Sequence, residues 1–294
     1  MIDEDNSNSN QTAVALVQEA AAILAATGNS LARRDVDLML AHVLSIEPAA
    51  IPLFAAGVSA DQLTVFQKMV DRRLTGEPVA YIIGEQGFWS LDFYVNQHTL
   101  IPRPDTELLV DVGLKSIANL SQATVADLGC GSGCILLSIL FDHDGASGVG
   151  ADFSPMALDV ARRNANRHGL AARAQFIESD WFSGFEGDVR FDLIVSNPPY
   201  ILTGDIADLM EDVRDFEPTS ALDGGPDGLE CYRRVSQCAV DHLAENGQLA
   251  FEVGIGQCSD VCLIMDAVGY CDIEVFRDLA DIDRVVIGKK PQES

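Results

Sequence analysis

The chain has 294 residues, 48% of them hydrophobic, and a formal charge of −26. That size and apolar content allow a large core and more than one domain. The charge is spread along the chain, since residues 121–294 alone carry 30 acidic and 12 basic side chains, a net of −18; such a surface disfavours nucleic acid and anionic membrane as direct partners and either suits a basic protein or serves solubility alone. The seven cysteines include no Cys-x-x-Cys pair. Cys258 and Cys262 share a helix face without a third ligand, so free thiols in a reducing compartment are expected and no metal is called for. The acidic start has no basic n-region and no apolar run approaches ~18 residues, which points to a cytoplasmic protein without a membrane span.

Residues 1–11 are polar and read as a disordered tail. Three amphipathic helices follow. The first runs from Thr12 to Gly28, and the second starts after Ser30, an N-cap candidate. The third opens on Ser59-x-x-Gln62, which has capping-box spacing, and stops before Gly76. Residues 12–76 therefore read as a small helical bundle. Its expected role is recognition of a large substrate, because it holds none of the chemical motifs. The β-branched and aromatic runs Val79–Ile83 and Phe88–Val95 predict a hairpin within a linker at 77–100. The stiff segment Ile101-Pro102-Arg103-Pro104-Asp105-Thr106-Glu107 then opens a helix to about Asn119.

From residue 101 to the end, strands alternate with helices. Strands are expected at 124–128, 148–151, 174–178, 191–196, 248–253, 271–276 and 284–288, with helices at 133–141, 155–167, 228–244 and 257–268. The alternation predicts an α/β fold: a mostly parallel seven-stranded sheet covered by helices on both faces, of the Rossmann-like class.

Two strand ends carry the chemistry. Asp127-Leu128-Gly129-Cys130-Gly131-Ser132-Gly133 joins a strand to a helix through glycines that let a ligand approach the backbone. A P-loop needs Gly-Lys-Ser/Thr, which is absent, and a dinucleotide fingerprint needs glycine where Cys134 stands. The remaining form fits S-adenosyl-L-methionine. The next strand ends at Asp152, followed by Phe153; Ser154-Pro155 can cap the helix and leave that carboxylate for ribose hydroxyls. After the third strand, Asp180 and Trp181 offer a polar group and a ring beside adenine. The apolar strand 191–195 stops at Asn197-Pro198-Pro199-Tyr200. Two prolines make the turn rigid, and an amide, a carbonyl and an aromatic face can together hold a planar group bearing NH2.

Asp-Leu-Gly-Cys-Gly-Ser-Gly with Asn-Pro-Pro-Tyr resembles amino-methyltransferases. The flanks narrow the likeness: Gly76-Glu77-Pro78-Val79-Ala80-Tyr81-Ile82-Ile83-Gly84, the Ile-Pro-Arg-Pro-Asp-Thr-Glu segment, Phe216-Glu217-Pro218, and Ala221-Leu222-Asp223-Gly224-Gly225-Pro226-Asp227-Gly228-Leu229. With them, residues 31–290 are similar to the peptide-chain release factor glutamine methyltransferases (the PrmC/HemK family). The resemblance implies an S-adenosylmethionine-dependent enzyme that methylates the amide nitrogen (N5) of the glutamine in the Gly-Gly-Gln motif of class I release factors. It implies catalytic roles for Asn197, Pro198 and Tyr200. It places Asp127, Gly129, Cys130, Gly131, Gly133, Asp152, Phe153, Asp180, Trp181 and Asn197 on the cofactor, and Asn197, Pro198, Pro199, Tyr200, Arg103 and Glu107 on the substrate. Asn-Pro-Pro-Tyr also occurs in adenine-N6 and guanine-N2 methyltransferases, so a nucleic-acid base is the rival acceptor. A non-catalytic cofactor-binding scaffold in translation is the other rival, and nothing in a scaffold demands Asn197.

Overall fold

The structure, a computed structural model, describes residues 12–290; the segment 1–11, expected to be disordered, lies outside the described residues. The chain divides into two compact units at Gly84–Glu85.

In the first unit, α1 (Ala13–Ala25) is capped by Thr12, whose hydroxyl accepts from the Ala15 amide at 3.2 Å. Helix α2 (Ala32–Leu44) has Leu31 at its N-cap and no side-chain cap bond. Ser30 is displaced from that role by Asn29, whose Oδ1 accepts from the Leu31 amide while its Nδ2 donates to Asp35. Helix α3 (Ala60–Leu74) carries the expected capping box in both directions, Ser59 to Gln62 and back. The run Val79–Ile83, expected as a strand, forms a short helix, α4 (Val79–Ile83). Pro78 presets its start, Gly84 ends it in the left-handed region, and the Arg72 guanidinium donates to the carbonyls of Tyr81 and Ile82. A five-residue apolar run does not distinguish strand from helix by pattern, and these tertiary donors decide it. Val36, Met39, Leu40, Phe66 and Ile82 bury together in this unit's core.

The second unit opens with an antiparallel hairpin, β1 (Glu85–Phe88) and β2 (Leu91–Tyr94). The expected strand 88–95 is thus two strand ends about a turn, in which Trp89 adopts a φ of 56°. A 3-10 turn at Pro104–Thr106 leads into α5 (Glu107–Ile117). Then come β3 (Ala123–Leu128), α6 (Cys134–Asp142), β4 (Ala146–Asp152), α7 (Pro155–Arg167), β5 (Ala174–Glu178), β6 (Phe191–Ser196), the short α8 (Glu211–Arg214), α9 (Glu230–Ala239), β7 (Leu243–Glu252), α10 (Cys258–Val268), β8 (Cys271–Arg277) and β9 (Asp283–Lys289). Helix α9 is shorter than the expected 228–244: a 3-10 turn ends it at His242, and β7 starts at Leu243 to pair with Phe191 across a shift in register.

The seven strands lie in the order β5-β4-β3-β6-β7-β9-β8, parallel from β5 to β7, with β9 antiparallel to both its neighbours. Alternate residues of the central strands feed two cores, as a two-sided sheet requires. Val125, Leu193 and Val195 pack with α5 and α6 on one face. Ala126, Leu128 and Ile194 pack with α9 and α10 on the other. Chain order reverses at β3, which has β4 on one side and β6 on the other. In such sheets the crevice outside the carboxyl ends at that reversal is where ligands bind.

Candidate active site

Both chemical motifs leave the sheet at that reversal. Leu128 pairs with Ser196 in register, and the Ser196 hydroxyl donates to the Leu128 carbonyl at 2.7 Å. The glycine loop and Asn197 therefore begin side by side.

The loop is held by its backbone. The amides of Gly129 and Cys130 both donate to the Ala151 carbonyl at the end of β4. Gly131 has a φ of 53° with open space where a Cβ would stand, so its tight turn leaves the loop's rim bare for a ligand. Gly133 has a φ of 78° and would press a Cβ against Leu137 and Ala161, so it brings α6 close to the sheet. Behind the loop, Asp127 is fully buried; it accepts from the Leu136 amide at 3.2 Å while its Oδ1 has no partner. Burial pushes its carboxyl up to about 7.

Asp152 is less free than the sequence suggests. Ser154 does cap α7, accepting from the Ala157 amide. Yet Asp152 accepts from the Gly131 amide and the Ser154 amide, each at 2.9 Å, and so ties β4 to the glycine loop. Burial raises its carboxyl, and those two bonds pull it back. Phe153 stands exposed beside it. Trp181 is held at a φ of 55°, a strained conformation for a bulky residue, with its carbonyl accepting from the Ser179 hydroxyl at 2.7 Å. Asp180 pairs with Arg234 at 2.8 Å.

The proline turn is held by side chains from distant segments. Asn197 Nδ2 donates to Thr106 Oγ1 at 3.2 Å. Gln257 Nε2 donates to the Tyr200 carbonyl at 2.9 Å. The backbone of Tyr200 lies so close to Gly224 that a Cβ there would stand 2.7 Å from its Cα, which explains a glycine in that segment. Burial pushes the Tyr200 hydroxyl up to about 12.

A cavity of about 410 Å³ spans the two motifs. Gly129, Cys130, Gly131, Asp152, Phe153, Asp180, Trp181, Asn197, Pro199 and Arg103 line it; Asp127, Gly133, Pro198, Tyr200 and Glu107 do not. Glu107 instead accepts from the Trp89 amide at 2.7 Å and anchors the hairpin turn. Arg103 pairs with the buried Glu217, which also accepts from the Ile101 amide. Burial raises the Glu217 carboxyl against the pull of Arg103. His98 also lines the cavity, a histidine remote in sequence from the proline turn.

Sequence reasoning passed over Thr106, Gln257 and Glu252. Glu252 is the most legible of these afterwards, since it interrupts the apolar run Leu249–Val253 and is 2% exposed. Burial pushes its carboxyl up to about 7, against hydrogen bonds from Thr106 and Asn197.

This cavity fits a nucleoside carrying a carboxylate-bearing side chain. The glycine-loop rim and the start of α6 line one end, the strand-end acid Asp152 stands beside them, and Trp181 supplies a flat face. Among the described residues no group of three or more His, Cys, Asp or Glu is placed to hold a metal. No helix among them is long and apolar enough to cross a membrane.

Comparison with known proteins agrees with this geometry. Residues 15–84 match the PrmC N-terminal domain family, and residues 105–212 match the methyltransferase small domain family. The release factor glutamine methyltransferase of Rhodospirillum rubrum is 43% identical over 88% of this chain and 79% of its own length. That of Geobacter sulfurreducens is 41% identical over 90% of this chain and 92% of its own. A methyltransferase structure from Pyrococcus furiosus, 15% identical, superposes with a TM-score of 0.51 over 77% of this chain and 100% of that one, a likeness of fold alone. Sequence identity at this level, over nearly the whole chain and both units, makes this protein a member of the release factor glutamine methyltransferase family, with S-adenosylmethionine as its methyl donor.

Proposed function

We propose that this enzyme methylates the side-chain amide nitrogen of the glutamine in the Gly-Gly-Gln motif of class I release factors, at the cavity between the glycine loop and the proline turn. The observation that carries the reading is the in-register pairing of β3 with β6, which sets the two motifs side by side. When bound, S-adenosylmethionine supplies an electrophilic methyl group on a sulfonium. Asp152 takes the ribose hydroxyls, the loop amides face the carboxylate, and Trp181 flanks the adenine.

An amide nitrogen is a poor nucleophile because its lone pair is delocalised into the carbonyl. Asn197, which lines the cavity, accepts one N–H hydrogen of the acceptor through Oδ1. In this reading the Pro198 carbonyl and the Tyr200 ring, which do not line it, take the second hydrogen and pack on the amide plane once the acceptor is seated. Those acceptors aim the nitrogen and favour positive charge developing on it, at the roughly 3–3.5 Å separation that direct attack requires. The proton leaves afterwards to solvent, so no strong base is needed before transfer.

The helical unit recognises the release factor in this reading, and the chain's −26 charge speeds encounter with a partner that binds ribosomal RNA. The test incubates the full chain with labelled cofactor and either an intact release factor, the same factor with alanine for the motif glutamine, a short Gly-Gly-Gln peptide, or RNA. Label is expected on the intact factor and the peptide alone, with added salt slowing the intact factor more than the peptide. Label on RNA, or on the alanine factor, would overturn the acceptor assignment; equal salt sensitivity would overturn the steering.

A further inference from the structure

Glu252 ends β7 next to the strand that delivers Asn197: Phe251 pairs with Ser196, so the two residues leave the sheet together. Its side chain is buried, and Oε2 has no hydrogen-bond partner. A carboxylate in that position is costly unless it is paired or hydrogen-bonded. The cation that acts on it, Arg284 on β9, is already paired with Asp105 at 2.9 Å and Asp278 at 3.1 Å. Thr106 and Asn197 stand beside the carboxyl and counter the rise that burial causes. In its ionised form the carboxyl has only acceptors, so it favours Nδ2 of Asn197 on its side, the same nitrogen that donates to Thr106 Oγ1 at 3.2 Å. A hydroxyl that accepts from Asn197 has its own hydrogen left for Glu252. The bond to Thr106 draws the NH2 end of Asn197 into the protein, and the carboxyl beside it favours the same end.

We propose that Glu252, acting with Thr106, is a positioning residue that sets which way the Asn197 amide faces, keeping Oδ1 toward the cavity. The inference rests on the role of Asn197 given above. An acceptor amide presents hydrogens to that site. Were Asn197 turned over, donor would meet donor and the nitrogen would not be aimed. Because an amide's two ends are nearly the same shape, sterics cannot enforce the choice, whereas an ionised carboxylate, which only accepts, can.

The test uses the full-length enzyme and the substitution Glu252→Gln, which keeps the shape but adds a donor able to turn Asn197 over. E252Q is expected to bind S-adenosylmethionine with wild-type affinity by calorimetry and to lose about 10- to 100-fold in kcat on a release factor, the scale of a misaimed reacting group. Thr106→Val, which removes the hydroxyl at constant shape, is expected to lose kcat in the same way. The discriminating arm is a charge swap. N197D puts a second carboxylate against Glu252 and loses activity; adding E252Q supplies a donor to that new carboxylate and is expected to raise kcat above N197D alone. A merely structural role for Glu252 predicts a loss in both backgrounds. Wild-type kcat in both E252Q and T106V, or no recovery in the double variant, would overturn the proposal while leaving the role of Asn197 intact. Wild-type activity in N197A would overturn that role itself.

Discussion

The glycine loop after β3 and the proline turn after β6 leave neighbouring strands of one sheet, yet they are built by opposite means. The loop is shaped mainly by its backbone, with the Asp152 carboxylate accepting from the Gly131 amide and Asn164 donating to the Ser132 carbonyl. Left-handed glycines set its turn, and the amides of Gly129 and Cys130 tie it to the Ala151 carbonyl. The turn is stiff by composition, and its chemical group is aimed by side chains drawn from three other segments, Thr106, Gln257 and Glu252. A cofactor recognised through main-chain groups needs a bare rim, which glycine provides. An acceptor amide needs one oxygen in one orientation, and that calls for a buried polar network. The difference teaches that the two halves of the reaction should be separable by substitution.

The largest expected effect lies on the turn. Asn197→Ala should lower kcat by about 10²–10³, as for loss of one group at the reacting centre, while calorimetry finds cofactor affinity nearly unchanged. A parallel loss of cofactor binding would break the separation. The converse variant lies on the loop side. Asp152→Ala should weaken S-adenosylmethionine binding by ~1–3 kcal/mol, the scale of charge-assisted bonds to hydroxyls, with a smaller change in kcat at saturating cofactor. Wild-type affinity would remove Asp152 from the cofactor site.

A third variant asks whether the loop too has a buried charge behind it. The folded carboxyl of Asp127 is pushed up to about 7, above the ordinary range of ~4 for an unfolded chain. A raised carboxyl adds stability that is fully present below the unfolded value and is lost as pH rises through about 7. Asp127→Asn removes that loss and keeps the bond from Leu136. It should therefore be more stable than wild type at pH 8, by on the order of 1–3 kcal/mol in chemical denaturation, with the gap narrowing toward pH 5. A gap that does not change between those pH values would show that Asp127 does not titrate.

The sequence alone determined the alternation of strands and helices, the glycine loop, the rigid proline turn and the capping box at Ser59, because each is a local property. Periodicity, positive φ, ring closure at proline and a reach of three residues all lie within a few positions of one another. Five apolar residues at 79–83 carry no such mark, and Arg72 from α3 made them a helix rather than a strand. Asp152 was readable as an acid at a strand end, but its bond to Gly131 was not. Glu107 and Arg103 lie four positions apart in one motif, and only tertiary structure turned the first to the hairpin and the second to Glu217. The same holds for Thr106, Asn197 and Glu252, which are separated by more than a hundred residues between first and last. Which buried donor meets which acceptor depends on strand order across the sheet, and no local pattern encodes that distance.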